Sequence, residues 1–103
     1  MNSQEELSAI RKPVRGPADY EIGMLLRITN LEIKSLFPYV GDSWKLVSHS
    51  GKHDYGYQFY LNEESYSKLK DAKSFTVLAH LTDHDRDAKL CTMSIYKIKK
   101  VIK

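Results

Sequence analysis

Apolar and polar residues alternate with a period of two through most of the chain from Ile22 onward. Ile22, Met24, Leu26 and Ile28 take turns with Gly23, Leu25, Arg27 and Thr29, which predicts a strand with one buried face. Leu31 and Ile33 continue it after a bend at Asn30. A short helix capped by Asn30 and stopped before Pro38 is the competing reading, and the bent strand is preferred. Pro38, Gly41 and Asp42 mark a loop. Trp44, Leu46 and Ser48 then alternate with Lys45, Val47 and His49 in a second strand. Gly51-Lys52-His53-Asp54 makes a turn, and Tyr57, Phe59 and Leu61 alternate with Gly56, Gln58 and Tyr60 in a third.

Here the period changes. Asn62 is a good N-cap, Glu63 and Glu64 suit the positive end of a helix dipole, and Tyr66 and Leu69 form an apolar stripe. One short helix over about 63–72 is predicted, enough to plug the end of a barrel. Phe75, Val77, Ala79 and Leu81 return to strand periodicity. The run Asp83-His84-Asp85-Arg86-Asp87 is too charged for anything but an exposed turn, and residues 90–95 begin a fifth strand. Beyond Tyr96, Ile98, Val101 and Ile102 keep no single parity, so a bulge or a helical end is expected there. Its four lysines would give a strand a charged edge, and would give a helix a basic patch for phosphate.

The order is β-β-β-α-β-β: all-β with one short helix. It predicts an OB-fold-like, five-stranded Greek-key barrel, a closure that removes the edges so many short strands would otherwise expose. The first 17 residues read as a flexible N-terminal arm ahead of a barrel domain over 18–103. Ser3 and Glu6 form a capping-box pattern with Leu7 and Ile10 behind it, so a helix over roughly 4–11 fits. Lys12-Pro13 and Gly16-Pro17 break regular structure after it, and Arg11, Lys12 and Arg15 make the linker basic.

Composition narrows the class. With 103 residues there is room for one domain, and 42% apolar with 28% charged residues is ordinary for a folded one. A net charge of +3 is only mildly basic. The single Cys91 lies in an apolar strand, excluding an internal disulfide and favouring a buried, reduced thiol. No apolar window is long enough to span a membrane, and the polar, acidic start is unlike a signal peptide, so a cytoplasmic protein without a membrane partner is expected.

Several motifs taken together resemble the N-terminal domain of the bacterial Holliday-junction protein RuvA. They are Gly56-Tyr57-Gln58-Phe59-Tyr60-Leu61; Ser65, Tyr66 and Leu69; Val77-Leu78-Ala79-His80-Leu81; Asp87-Ala88-Lys89-Leu90; and the opening Ile22-Gly23-Met24-Leu25. The similarity covers about half the chain. It implies an OB-fold and an affinity for branched DNA. In that family, acidic residues at the turn before the last strand repel phosphate at the junction centre, and here Asp85 and Asp87 are the matching positions. A solvated hairpin tip is the plainer reading of the same residues. The loop between the first and third strands is longer than the family's, with Trp44 and Lys45 unmatched, and no Gly-x-Gly hairpin pair for gripping phosphates is present, so branch migration is not implied. A likeness to the RNA-recognition motif is weaker, because Arg27 and Gln58 stand where that motif needs an aromatic and an aliphatic residue.

Single-strand binding needs cations for phosphates and rings for bases. With Trp44, Leu46, Tyr57 and Phe59 inside, the outer face of strands two and three shows Lys45, Val47, His49, Gln58 and Tyr60. Lys52, His53 and Tyr55 are expected at the hairpin tip beside it. The candidate nucleic-acid-binding set is therefore Lys45, His49, Lys52, His53, Tyr55, Gln58 and Tyr60. Metal ligation by His80, Asp83, His84, Asp85 and Asp87 has no fixed helical spacing behind it, and no cofactor is expected. No nucleophile elbow, phosphate-binding glycine loop or dinucleotide fingerprint is present. The expected function is a non-enzymatic module for single-stranded or branched DNA in recombination, repair or replication. A small protein-binding adaptor or inhibitor, or an RNA-binding domain, is the alternative.

Overall fold

A computed structural model of the chain describes residues 16–103. The reading of a helix over 4–11 lies outside them. Five strands run β1 (Leu25–Pro38), β2 (Trp44–Ser50), β3 (Tyr55–Leu61), β4 (Ser74–Asp85) and β5 (Leu90–Ile102), with helix α1 (Glu63–Leu69) between β3 and β4. They close into a barrel in the order β1-β2-β3-β5-β4. Every neighbouring pair is antiparallel except β3 and β5, which run parallel. This is the OB-fold order, with the helix where the sequence places it.

Closure depends on β1 serving two neighbours. Its first half pairs with β4 and its second half with β2. The hinge is Asn30, at a left-handed φ of 55° inside a register shift between Ile28 and Leu31. Asparagine tolerates that conformation better than most residues, and its N–H donates to the Thr76 hydroxyl (3.3 Å). The bulge changes parity, so Ile28 and Leu31 both point inward. The expected bend is there. The expected start is not: Ile22 is exposed, because Gly23 at φ 96° turns the chain before the strand begins.

β2 and β3 follow the alternation. Leu46, Ser48, Tyr57, Phe59 and Leu61 are buried, Trp44 packs against them, and the Ser48 hydroxyl is satisfied by the Tyr57 carbonyl (2.8 Å). Helix α1 is capped by the Asn62 side chain, which accepts from the Ser65 N–H (2.9 Å). It is shorter than expected, ending at Leu69. Leu69 is fully buried and Tyr66 stacks on Trp44 (4.2 Å between centroids, 9° between planes), so the helix lids the barrel end.

The other end is closed by residues 16–20, the first two of which were read as linker. A single 3-10 turn at Pro17–Asp19 buries Pro17. Arg86 donates to the carbonyls of Ala18 (3.1 Å) and Tyr20 (3.2 Å), and His84 Nδ1 donates to Tyr20 as well (3.1 Å). Because a carbonyl only accepts, Nδ1 carries the proton and His84 Nε2 accepts from the Tyr55 hydroxyl (2.8 Å). Beneath this strap the Tyr57 hydroxyl is buried, and the Tyr20 side chain offers it a hydrogen bond of poor geometry. A buried hydroxyl left without a good partner costs about 1–3 kcal/mol, so Tyr57→Phe is expected to hold stability level or raise it by about 1 kcal/mol. Urea denaturation of the two proteins checks this, and a loss of stability would show that the bond to Tyr20 is worth more than the burial costs.

Candidate nucleic-acid interface

The outer face of β2 and β3 is built by pairing. Lys45 stands opposite Tyr60 on β3 and opposite Phe37 on β1, so three outward side chains form one row across three strands. The loop over residues 39–43 folds a fourth onto it. Gly41 takes φ 62°, the Tyr39 N–H donates to the Ser43 carbonyl (2.9 Å), and the Ser43 hydroxyl donates to the Val40 carbonyl. That tight loop lays the Tyr39 ring against Tyr60 (centroids 5.0 Å apart, planes tilted 41°). Lys45 Nζ lies 5.8 Å from the centroids of both rings. Phe37 (42%), Tyr39 (48%) and Tyr60 (43%) all keep much of their surface in solvent.

Of the seven residues expected to bind, Lys45, Gln58 and Tyr60 lie on this face. Gln58 also donates to the Thr92 hydroxyl (2.8 Å), pinning it to β5. His49 shares the face, but Nε2 contacts Asp54 Oδ1 (3.3 Å), and Lys89 Nζ approaches the other Asp54 oxygen (3.8 Å). This end of the face is therefore partly self-neutralised. Lys52 and His53 are exposed in the 51–54 turn, where the His53 ring sits beside Gly16. Tyr55 does not belong to the set. It is 5% exposed, since the alternation that puts Tyr57 and Phe59 inside puts Tyr55 there too.

Sequence reasoning missed Phe37, Tyr39 and Val40. A register shift between Ile33 and Ser35 resets parity late in β1, so that Phe37 turns outward, and nothing in the period reveals it. The Tyr39-Val40-Gly41 run in the loop was the available signal.

Of the run read as an exposed turn, Asp83, Asp85, Arg86 and Asp87 are exposed, but residues 83–85 still belong to β4, the turn itself is 86–89, and His84 is half-buried. Asp85 Oδ1 accepts from the Ala88 N–H (3.0 Å), so this carboxylate shapes the turn. Arg86, between the two aspartates, reaches back to the 18–20 segment. Asp87 stays exposed with it withdrawn.

His80 is exposed and meets Tyr96 edge-on (5.9 Å). Cys91 is fully buried, and burial pushes its thiol up to about 11. Among the described residues no three His, Cys, Asp or Glu side chains gather to hold a metal, and no helix is long and apolar enough to cross a membrane. No known protein family, curated protein or solved structure matches this chain.

Proposed function

We propose that this barrel is a non-enzymatic nucleic-acid-binding module that takes single-stranded or branched DNA on the face of β2 and β3. The observation that carries it is Lys45 held between Tyr39 and Tyr60, with Phe37 beside it in the same row. A lysine there neutralises a phosphate while the rings offer flat surfaces to unstacked bases. The occupied nitrogens of His84 and the buried Cys91 thiol favour binding over catalysis. In this reading Asp85 and Asp87 repel phosphate at the rim and favour an open branch over continuous duplex.

The deciding experiment is a gel-shift panel of single-stranded, duplex and four-way-junction DNA and single-stranded RNA. A shift with single strands or junctions at low salt and micromolar protein is expected, and failure of all four ends the proposal. Tyr60→Ala should weaken single-strand binding by about 1–3 kcal/mol, roughly 5- to 150-fold, in fluorescence anisotropy. Lys45→Ala should lower the salt slope by about one. Unchanged affinity in a folded Tyr60→Ala protein would move the site elsewhere.

The open apolar surface of Val40 and Phe37 also favours a second reading, a protein partner on the same face. Salt separates the two. Phosphate contacts weaken linearly on a log–log plot, whereas an apolar interface responds little.

A further inference from the structure

Three segments of this chain contain no aspartate or glutamate at all: residues 25–31, 74–82 and 90–103. They carry Arg27, Lys97, Lys99, Lys100 and Lys103. The fold brings these segments together, because the first half of β1 pairs with β4, and β4 pairs with β5 along its length. Arg27, Leu78 and Lys97 stand in one row across the three strands. Along the paired strands the carboxylates that flank these segments are Glu32, within 3.9 Å of Lys34, and Asp83 toward the far end of β4. Among the described residues none of the five cations enters an ion pair.

Two bulges concentrate the charge. Ile95 pairs with Ala79 and Lys97 with Leu78, leaving Tyr96 as an extra residue. Ile98 pairs with Val77 and Lys100 with Thr76, leaving Lys99 as another. Each bulge sends two successive side chains outward. The strand consequently repeats every three residues, with Ile95, Ile98 and Val101 packed on the core while Tyr96, Lys97, Lys99 and Lys100 are exposed. A regular strand would have turned half of these side chains inward. This is a built stripe of cations on the β1-β4-β5 side of the barrel, beyond Met93, where the pairing of β5 with β3 ends.

We propose that this stripe is a second nucleic-acid surface, for the phosphodiester backbone, so that one barrel holds two strands or two arms of one branched molecule. The proposal rests on the nucleic-acid reading above and extends it. Phosphodiester fits better than a lipid surface, because the aliphatics between the lysines point into the barrel. The exposed Leu25 and Ile102 stand at opposite ends of the stripe. Tyr96, 66% exposed and braced by His80, adds one flat ring among the charges.

The test is fluorescence anisotropy on the full chain with a labelled four-way junction across a salt series. The variant is Lys97→Gln combined with Lys99→Gln and Lys100→Gln, with folding checked by circular dichroism. Losing three phosphate contacts should flatten the log–log salt slope by about two to three and weaken binding about 100-fold near 0.1 M salt. Arginine at the same three positions should retain binding. Lys97→Gln and Lys100→Gln made singly should each lower the slope by just under one, which covers failure of the triple variant to fold. If wild-type binds and the triple variant matches it in affinity and slope, this surface is unused and only the first face stands. If wild-type binds no nucleic acid, both readings fall. Binding to phosphatidylserine vesicles in place of the junction would overturn the proposal in favour of a membrane. Loss of binding in the triple variant, with Tyr60→Ala and Lys45→Ala unaffected, would keep the stripe and remove the first face.

Discussion

Phe59→Ala should lower the free energy of unfolding by about 3–5 kcal/mol. Phe59 is fully buried on β3 and meets Phe75 of β4 edge-on, with centroids 5.6 Å apart and planes at 69°. β3 and β4 are not neighbours in the barrel, so this contact crosses its interior. Truncation forfeits the transfer free energy of a ring, opens a cavity that the closed sheet cannot collapse into, and removes an aromatic pair worth about 0.5–1.5 kcal/mol. A domain of this size has about 5–15 kcal/mol in total, so the loss is a large share of it. Urea denaturation followed by the fluorescence of Trp44, the one tryptophan, measures it. Phe59→Leu keeps more of the volume and should lose less. A loss below about 1 kcal/mol for the alanine variant would contradict the packing described.

The interior of β2 and β3 was legible because nothing disturbs their period. Trp44 to Ser48 and Tyr57 to Leu61 pair in unbroken register, and each inward residue is the one the alternation names. Misplacing Tyr55 at the tip was a failure to follow that same period two residues further back. The helix was legible through Asn62, whose cap is local chemistry. Elsewhere the register is set by tertiary pairing. The shift at Asn30 lets β1 serve two neighbouring strands, and the shifts at Tyr96 and Lys99 fit β5 to β4. A bulge adds one residue and inverts the parity of all that follow, so periodicity alone mislocates faces downstream.

The site was half legible for the same reason. Lys45 and Tyr60 lie on undisturbed strands and were named. Phe37 follows a register shift, and Tyr39 reaches the face only through the folding of its loop. Gly16 and Pro17, the start of the strap over residues 16–20, were read as linker because they break regular structure, yet the strap's anchors, Arg86 and His84, stand more than sixty positions away. Both residues had been assigned to a charged tip. The two faces proposed here differ accordingly in origin, one made by alternation and a loop, the other by bulges.

Raising the pH above 9 should destabilise the protein progressively, and Cys91→Ala should delay the onset to about pH 10. Cys91 is pushed up from 9 to about 11, chiefly by burial, against a smaller opposing effect of Arg86. Tyr57, Tyr55 and Tyr20 are raised above 10, again chiefly by burial. These groups are neutral when protonated, so a raised value means that the native state holds its protons longer than the unfolded chain. Below pH 9 both states are protonated and the full stability is present. Between 9 and 11 the unfolded chain loses the Cys91 proton while the native state keeps it, so stability falls with pH. Two pH units correspond to at most about 2–3 kcal/mol from this thiol. The tyrosines extend the fall above pH 10. Because Cys91→Ala also removes a buried sulfur, its stability at pH 8 should start lower, and the comparison is between slopes. Urea midpoints at pH 8, 9, 10 and 11 under reductant would show a decline from pH 9 in wild-type and a level segment from 9 to 10 in the variant. Equal declines in the two proteins would assign the loss to the tyrosines under the strap, and a flat wild-type curve to pH 11 would mean that the Tyr20, Tyr55, Tyr57 and Cys91 cluster is open to water.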